Sequence, residues 1–317
     1  MDWLGARIDG PLVVIRAIHF FATAVLAGSL IFGAVVAKPV LRSTDAAMTV
    51  VRSQILRTAW TGLAIAAASG AIWFQLQAAS MSGLPLGEAM TPDVLLTVLN
   101  QTQFGLVSEI RLVLAVILAG CLAYDGLVLS RWLGLASVLG LTATIAWTGH
   151  GGSTAGEAGV LHLTADVLHL TAAAAWIGGL VSLAWLLVET RRDPGRASLA
   201  RNATRRFSTL GIVSVGTLFL TGFVNSWFLV GSFNALLAIE YGRLLTLKIG
   251  LFVIMVAFAA INRLWLTPQL VFSPESGPQP NSLRQLTRNS MIEIGLGLAI
   301  YGIVGVLGTL HPASHFL

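Results

Sequence analysis

His162, Asp166 and His169 stand at positions i, i+4 and i+7 of one apolar stretch, so on a helix all three project from one face. Imidazole ligates copper, zinc, iron and nickel, and a neighbouring carboxylate can hold a ligating ring in one tautomer through its second nitrogen. An ionisable group inside an apolar span is costly and usually faces a bundle interior or a cavity. His19 has the same setting, with Arg16 one turn before it. His150, His311 and His315 complete the set of six, each near the end of an apolar run. The alternative without a ligand is that each imidazole hydrogen-bonds across helices or lies among lipid headgroups.

The elements that carry these residues are ones water cannot solvate. Of 317 residues, 56% are apolar and only 10% charged, where a soluble domain carries about a quarter charged. Such a chain cannot cover itself with a polar surface, so the bilayer is its solvent. A run of roughly 20 apolar residues crosses the hydrocarbon core as a helix. Eight runs qualify, over about 12–37, 55–79, 106–128, 132–149, 160–188, 207–231, 243–266 and 289–309. The expected fold class is therefore all-α, a polytopic membrane protein of eight transmembrane helices. Asp2 and Asp9 beside Arg7, before an apolar run too long for a signal peptide, make the first run a permanent helix.

Loop charge sets the orientation. Lys38, Arg42, Arg52, Arg57, Arg131, the arginines from Arg191 to Arg206, Arg263, Arg284 and Arg288 fall on one side. Glu88, Asp93, Glu157 and Glu240 fall on the other. Both termini should then be extracytoplasmic, in the periplasm of a Gram-negative cell, with all six histidines toward that side of the inner membrane. The formal charge of +5 is spent on these loops and gives no reason to expect nucleic acid. A single cysteine, Cys121, excludes a disulfide framework or a multi-cysteine metal site and reads as a packing residue.

The two halves repeat. His19 precedes Gly28 by nine residues, and His169 precedes Gly178 by nine. Ser69-Gly70 comes shortly before Trp73, as Thr221-Gly222 comes shortly before Trp227. Phe104-Gly105 has Arg111 six residues after its glycine, and Tyr241-Gly242 has Lys248 six after its own. Fourteen residues beyond those cations stand Asp125 and Asn262, and Gly149-His150 is answered by Leu310-His311. Four spans per repeat is an even number, so two parallel four-helix repeats are expected, residues 1–153 and 154–317, within one membrane domain. His19 is then equivalent to His169, and His150 to His311.

Other polar residues are less committed. Arg111 reads as snorkelling outward or pairing near Glu109, with tuning of an outer cavity's charge as the functional alternative. Glu293 lies near the inner boundary, where it could reach water, and Asn225 is a buried polar candidate. Met81 and Met90 could present thioethers to Cu(I) outside the membrane. Trp3, Trp147, Trp227 and Trp265 read as interfacial anchors. The sequence holds no phosphate-binding glycine loop, no CxxC and no soluble domain for ATP hydrolysis. No catalytic residue stands out, and an enzyme is not expected.

Together these residues resemble the CopD family, the copper-resistance D membrane proteins. The resemblance is most specific in the second half: Leu168-His169 through Trp176-Ile177-Gly178-Gly179, Arg206-Phe207-Ser208, Leu220-Thr221-Gly222 with Asn225, Tyr241-Gly242-Arg243 with Lys248, and Asn262-Arg263. It extends through His19 and His150-Gly151 to nearly the whole chain. It implies copper import from periplasm to cytoplasm and a periplasmic CopC-like copper chaperone as partner. The expected site is an outer one drawn from His19, His169, His150, His311, His162 and Asp166. His19 and His169 are expected to approach one another between the halves. The family's kinship with four-helix b-type cytochromes keeps haem b, held between His19 and His169, as the alternative cofactor for an electron-transfer protein or metal reductase. A metal sensor is a third reading.

Overall fold

The computed structural model describes residues 2–3, 6–7, 10–40, 46–149, 156–231, 236–237, 239–270 and 280–310. Among the described residues, eight helices are long and apolar enough to cross a membrane. They are α1 (Gly10–Val40), α2 (Thr49–Ser82), α3 (Gln103–Ala123), α4 (Val128–Thr148), α5 (Gly156–Arg192), α6 (Ala197–Val230), α7 (Glu240–Leu270) and α8 (Asn281–Leu307). Two short helices, Leu86–Ala89 and Pro92–Gln101, join α2 to α3, and Asp2–Trp3 pairs antiparallel with Ala6–Arg7.

Several helices outrun the apolar stretches that announce them. α6 starts ten residues before the expected 207, and α8 eight before 289. In both cases the extra turns are polar and amphipathic: Leu199, Ala200 and Ala203 of α6 are buried beside exposed Arg205 and Arg206, and Leu283 and Leu286 of α8 are buried. Hydropathy marks the thickness of the hydrocarbon, whereas a helix continues for as long as its face has something to pack on. α2 and α6 stop at Gly83 and Gly231, whose φ values of 69° and 70° lie in the left-handed region that ends helices and favours glycine. Thr102 caps the start of α3, its hydroxyl accepting from the Gly105 amide at 2.9 Å.

α1 and α5 are the central pair. In their apolar windows 61% and 72% of residues are buried, against 33% or less for every other span. Their packing is reciprocal: α1 touches α2 and α4 from its own half and α5 and α8 from the other, while α5 touches α6 and α8, then α1 and α4. They cross backbone to backbone at Gly28 and Gly178. A Cβ on Gly28 would come within 2.5 Å of the Gly178 Cα, and one on Gly178 within 2.9 Å of the Gly28 Cα. Only glycine permits that approach. The outer helices turn large apolar side chains outward, among them Leu112, Val116, Phe219 and Phe223, each more than half exposed. Lipid is the medium that suits such a surface.

Three spans contain a π-turn, at Phe32–Ala37, Ala174–Gly178 and Asn262–Leu266. Each adds a residue to a turn and re-aims the faces on either side. Hydrophobic periodicity carries no sign of them, because an added residue changes where a face points and not its composition.

Candidate functional site

His19 is 3% exposed. Gly70 on α2 makes room for the ring, since a Cβ there would lie 3.1 Å from the imidazole Cε1. Beside it, Ser69 Oγ lies 3.1 Å from His19 Nδ1. The Ser69 hydroxyl donates its proton to the Ile65 carbonyl at 2.6 Å, and a hydroxyl has only one proton to give. Nδ1 therefore holds the ring hydrogen and donates it to Ser69, which leaves the lone pair on Nε2. That lone pair accepts from the Arg111 guanidinium of α3. Arg111 also donates to the Leu141 carbonyl and to Thr144 Oγ1 on α4, each at 2.9 Å. It does not snorkel outward or pair near Glu109: three acceptors inside the bundle outweigh the reach to the surface. Trp73 leans on the imidazole with centroids 5.3 Å apart, and the Arg16 guanidinium lies over the rings of Trp73 and Phe20.

His169 occupies a pocket of the same construction between α5 and α6. Thr221 Oγ1 lies 3.0 Å from Nδ1 and donates its own proton to the Thr217 carbonyl at 2.6 Å, so the same tautomer follows. Gly222 passes the ring as Gly70 does, with a Cβ position 3.6 Å from Cε1. The difference is at Nε2. Among the described residues no hydrogen bond reaches it. Lys248 of α7 lies within electrostatic range of His169 and Asp166. Asp166 accepts from Asn225 Nδ2 at 3.2 Å; the group that fixes the His169 tautomer is Thr221, not this carboxylate. His162 stacks on Phe228 with centroids 4.9 Å apart and planes 14° from parallel. Residues 162, 166 and 169 thus meet 228, 225 and 221 in turn, the register of two antiparallel helices.

The two central histidines do not come together. Each points into the helices of its own half, and among the described residues they share no hydrogen-bond partner and no ring contact. The reason is the Gly28–Gly178 crossing: it brings the two backbones together and turns both side chains away from the contact. Among the described residues no three His, Cys, Asp or Glu side chains converge as a metal cage would require. His150, His311 and His315 lie outside the described residues.

Toward the end of the bundle that carries the loop arginines, Glu293 of α8 is 2% exposed and accepts from Asn262 Nδ2 at 2.7 Å. Asn289 Nδ2 donates to Asn262 Oδ1 at 2.9 Å. Glu293 therefore does not reach water; the π-turn at Asn262 presents an amide to it instead. Fourteen residues after Arg111, Asp125 pairs with Arg52 at 2.6 Å. Cys121 is buried, with its Cβ 3.3 Å from the Cβ position of Gly134, as packing requires. Met81 and Met90 are exposed and Trp227 and Trp265 face outward. The residues that sequence reasoning left without a chemical role are Ser69, Thr221, Trp73 and Asn289. The signal for the first two was present, a hydroxyl followed by glycine at matching places in both halves.

Residues 201–307 match the family described as Copper resistance protein D, and residues 7–160 match the Copper resistance protein D-like N-terminal domain. The chain is similar to Copper resistance protein D of Pseudomonas syringae pv. tomato, with 30% identity over 96% of this chain and 98% of that protein. Inner membrane protein YebZ of Escherichia coli (strain K12) is 27% identical over 95% and 98% of the two chains. Copper transport protein CutJ of Bacillus subtilis (strain 168) is 33% identical over 39% of this chain and 22% of its own length. No solved structure matches the chain. With eight apolar helices and relatives of this kind, the protein is a multi-pass protein of the inner membrane. Its likeness to Copper resistance protein D runs nearly end to end at 30% identity, and the chain belongs to that family.

Proposed function

We propose that the protein carries copper across the inner membrane, from periplasm to cytoplasm, with the half-buried His169 as a ligand within the span. One observation carries the reading: the Thr221 hydroxyl holds the imidazole as the tautomer whose lone pair is on Nε2, and no described side chain uses that lone pair. His19 has the same tautomer, but Arg111 occupies its Nε2. The second half therefore offers a nitrogen to a soft cation where the first does not. Asp166 beside it adds negative charge, and His162 is two turns closer to the outer end of α5. Few ligands suit a transit site, since an ion bound too well does not leave.

The reading includes two parallel repeats, 1–153 and 154–317, with both termini in the periplasm. The reciprocal packing of α1 and α5 and the matched pairs His19–Ser69 and His169–Thr221 support it. Copper would enter from the periplasm, supplied by a CopC-like chaperone, and meet the buried Glu293–Asn262 pair lower in the same half. The protein acts as a carrier and performs no reaction of its own. The test measures cytoplasmic copper at low external supply in cells expressing wild type, His169→Ala or His19→Ala, together with a reduced-minus-oxidised visible spectrum of the purified protein. His169→Ala abolishes the added uptake, and His19→Ala retains part of it. Unchanged cytoplasmic copper together with a strong haem band would instead make the protein an electron carrier.

A further inference from the structure

The first-half pocket has an electrostatic character opposite to its counterpart. Arg16 is 6% exposed and Trp73 is 2% exposed. The Nε–H of Arg16 and the indole N–H of Trp73 are both buried, and among the described residues neither has a hydrogen-bond partner. They belong to one cluster, with the Arg16 Cζ 5.3 Å from the Trp73 ring centroid. His19 lies against the same indole and joins the cluster to the Arg111 guanidinium. Two guanidiniums thus flank the His19–Trp73 contact, and among the described residues no carboxylate pairs with either. A buried cation without a counter-charge, beside donors without acceptors, is an expensive arrangement. Ring faces offset part of the charge but satisfy no N–H.

The corresponding positions in the second half are balanced. Asp166 stands where the first half has Arg16, three residues before the histidine, and Lys248 stands where it has Arg111. Among the described residues the partnerless buried atom there is an acceptor, Asn225 Oδ1. Among the described residues the first site leaves Arg16 and Trp73 without an acceptor and has no paired carboxylate, whereas the second has an acceptor to spare and the carboxylate of Asp166. We propose that the first-half pocket binds a small anion, a halide or a carboxylate group, between Arg16 and Trp73 and within the field of Arg111. The inference stands apart from the copper reading and holds whether or not a metal moves through the second half.

The two sources of such an anion are a free ion and the carboxylate of a larger solute. The test uses the purified full-length protein in neutral detergent, in gluconate at constant ionic strength, titrated with bromide in one series and formate in another. Melting temperature and tryptophan emission are read in both. A saturable response is expected in wild type. Bromide alone identifies a free halide; formate alone, or formate at lower concentration, identifies a carboxylate. Arg16→Gln removes a charge-assisted contact and raises the half-saturating concentration at least about tenfold. Trp73→Phe keeps the ring but loses the N–H, raises that concentration several-fold and removes the bromide quenching assigned to this indole. Arg191→Gln, on an exposed arginine at the far end of α5, leaves the response unchanged. If Arg16→Gln fails to fold, Trp73→Phe decides. No saturable response in wild type, or one unaltered in both variants, overturns the proposal.

Discussion

Two hydroxyls decide what the two central histidines can do. Ser69 and Thr221 each give their proton to a carbonyl one turn back, so each can only accept from the imidazole beside it. If that fixes His169 for metal, Thr221→Val should weaken copper binding about ten- to a hundredfold, the usual cost of losing an orienting partner, while Thr221→Ser should restore most of it. Copper stoichiometry and affinity of the purified variants would check this, and equal affinity in Thr221→Val would remove the hydroxyl's role. Both histidines were legible in the sequence because an imidazole in an apolar span has few innocent explanations. The inward turn of Arg111 was not. Its direction depends on acceptors offered by Leu141 and Thr144, some thirty residues away on another helix, and no spacing rule contains them. The same holds for Glu293, whose partner Asn262 belongs to a different span.

At the scale of the helix, the crossing of α1 and α5 is where one atom matters most. Gly28→Ala should destabilise the protein by about 1–3 kcal/mol or more, because the added methyl meets backbone that cannot yield. Gly216→Ala puts the same methyl into open space on α6 and should be neutral, or stabilising by up to about 1 kcal/mol through helix propensity. Thermal melts of the two variants in one detergent would compare them, and similar shifts would mean that the helices have room at the crossing. The sequence marked both crossing glycines, since each follows a histidine by nine residues. It marked all eight spans too, because twenty apolar residues in a row have few other fates. The π-turns and the polar extensions of α6 and α8 were hidden, since both depend on what a face packs against and not on its own pattern.

For the whole molecule, the asymmetry of loop arginines predicts which end faces the cell interior. A reporter fused at Ser198 should register as cytoplasmic and one at Gly156 as periplasmic; the reverse at either position would invert the depth assigned to every histidine. The contact of Gly28 with Gly178 bears on the route of any cargo. Where two backbones touch at the middle of a bundle, its midline is a wall and not a channel. Anything that crosses must go around that wall, on one side or the other, and so meets the side chains of one half at a time. A molecule arranged in this way does not need its two sides to agree. One flank can keep an open nitrogen while the other fills its own with arginine.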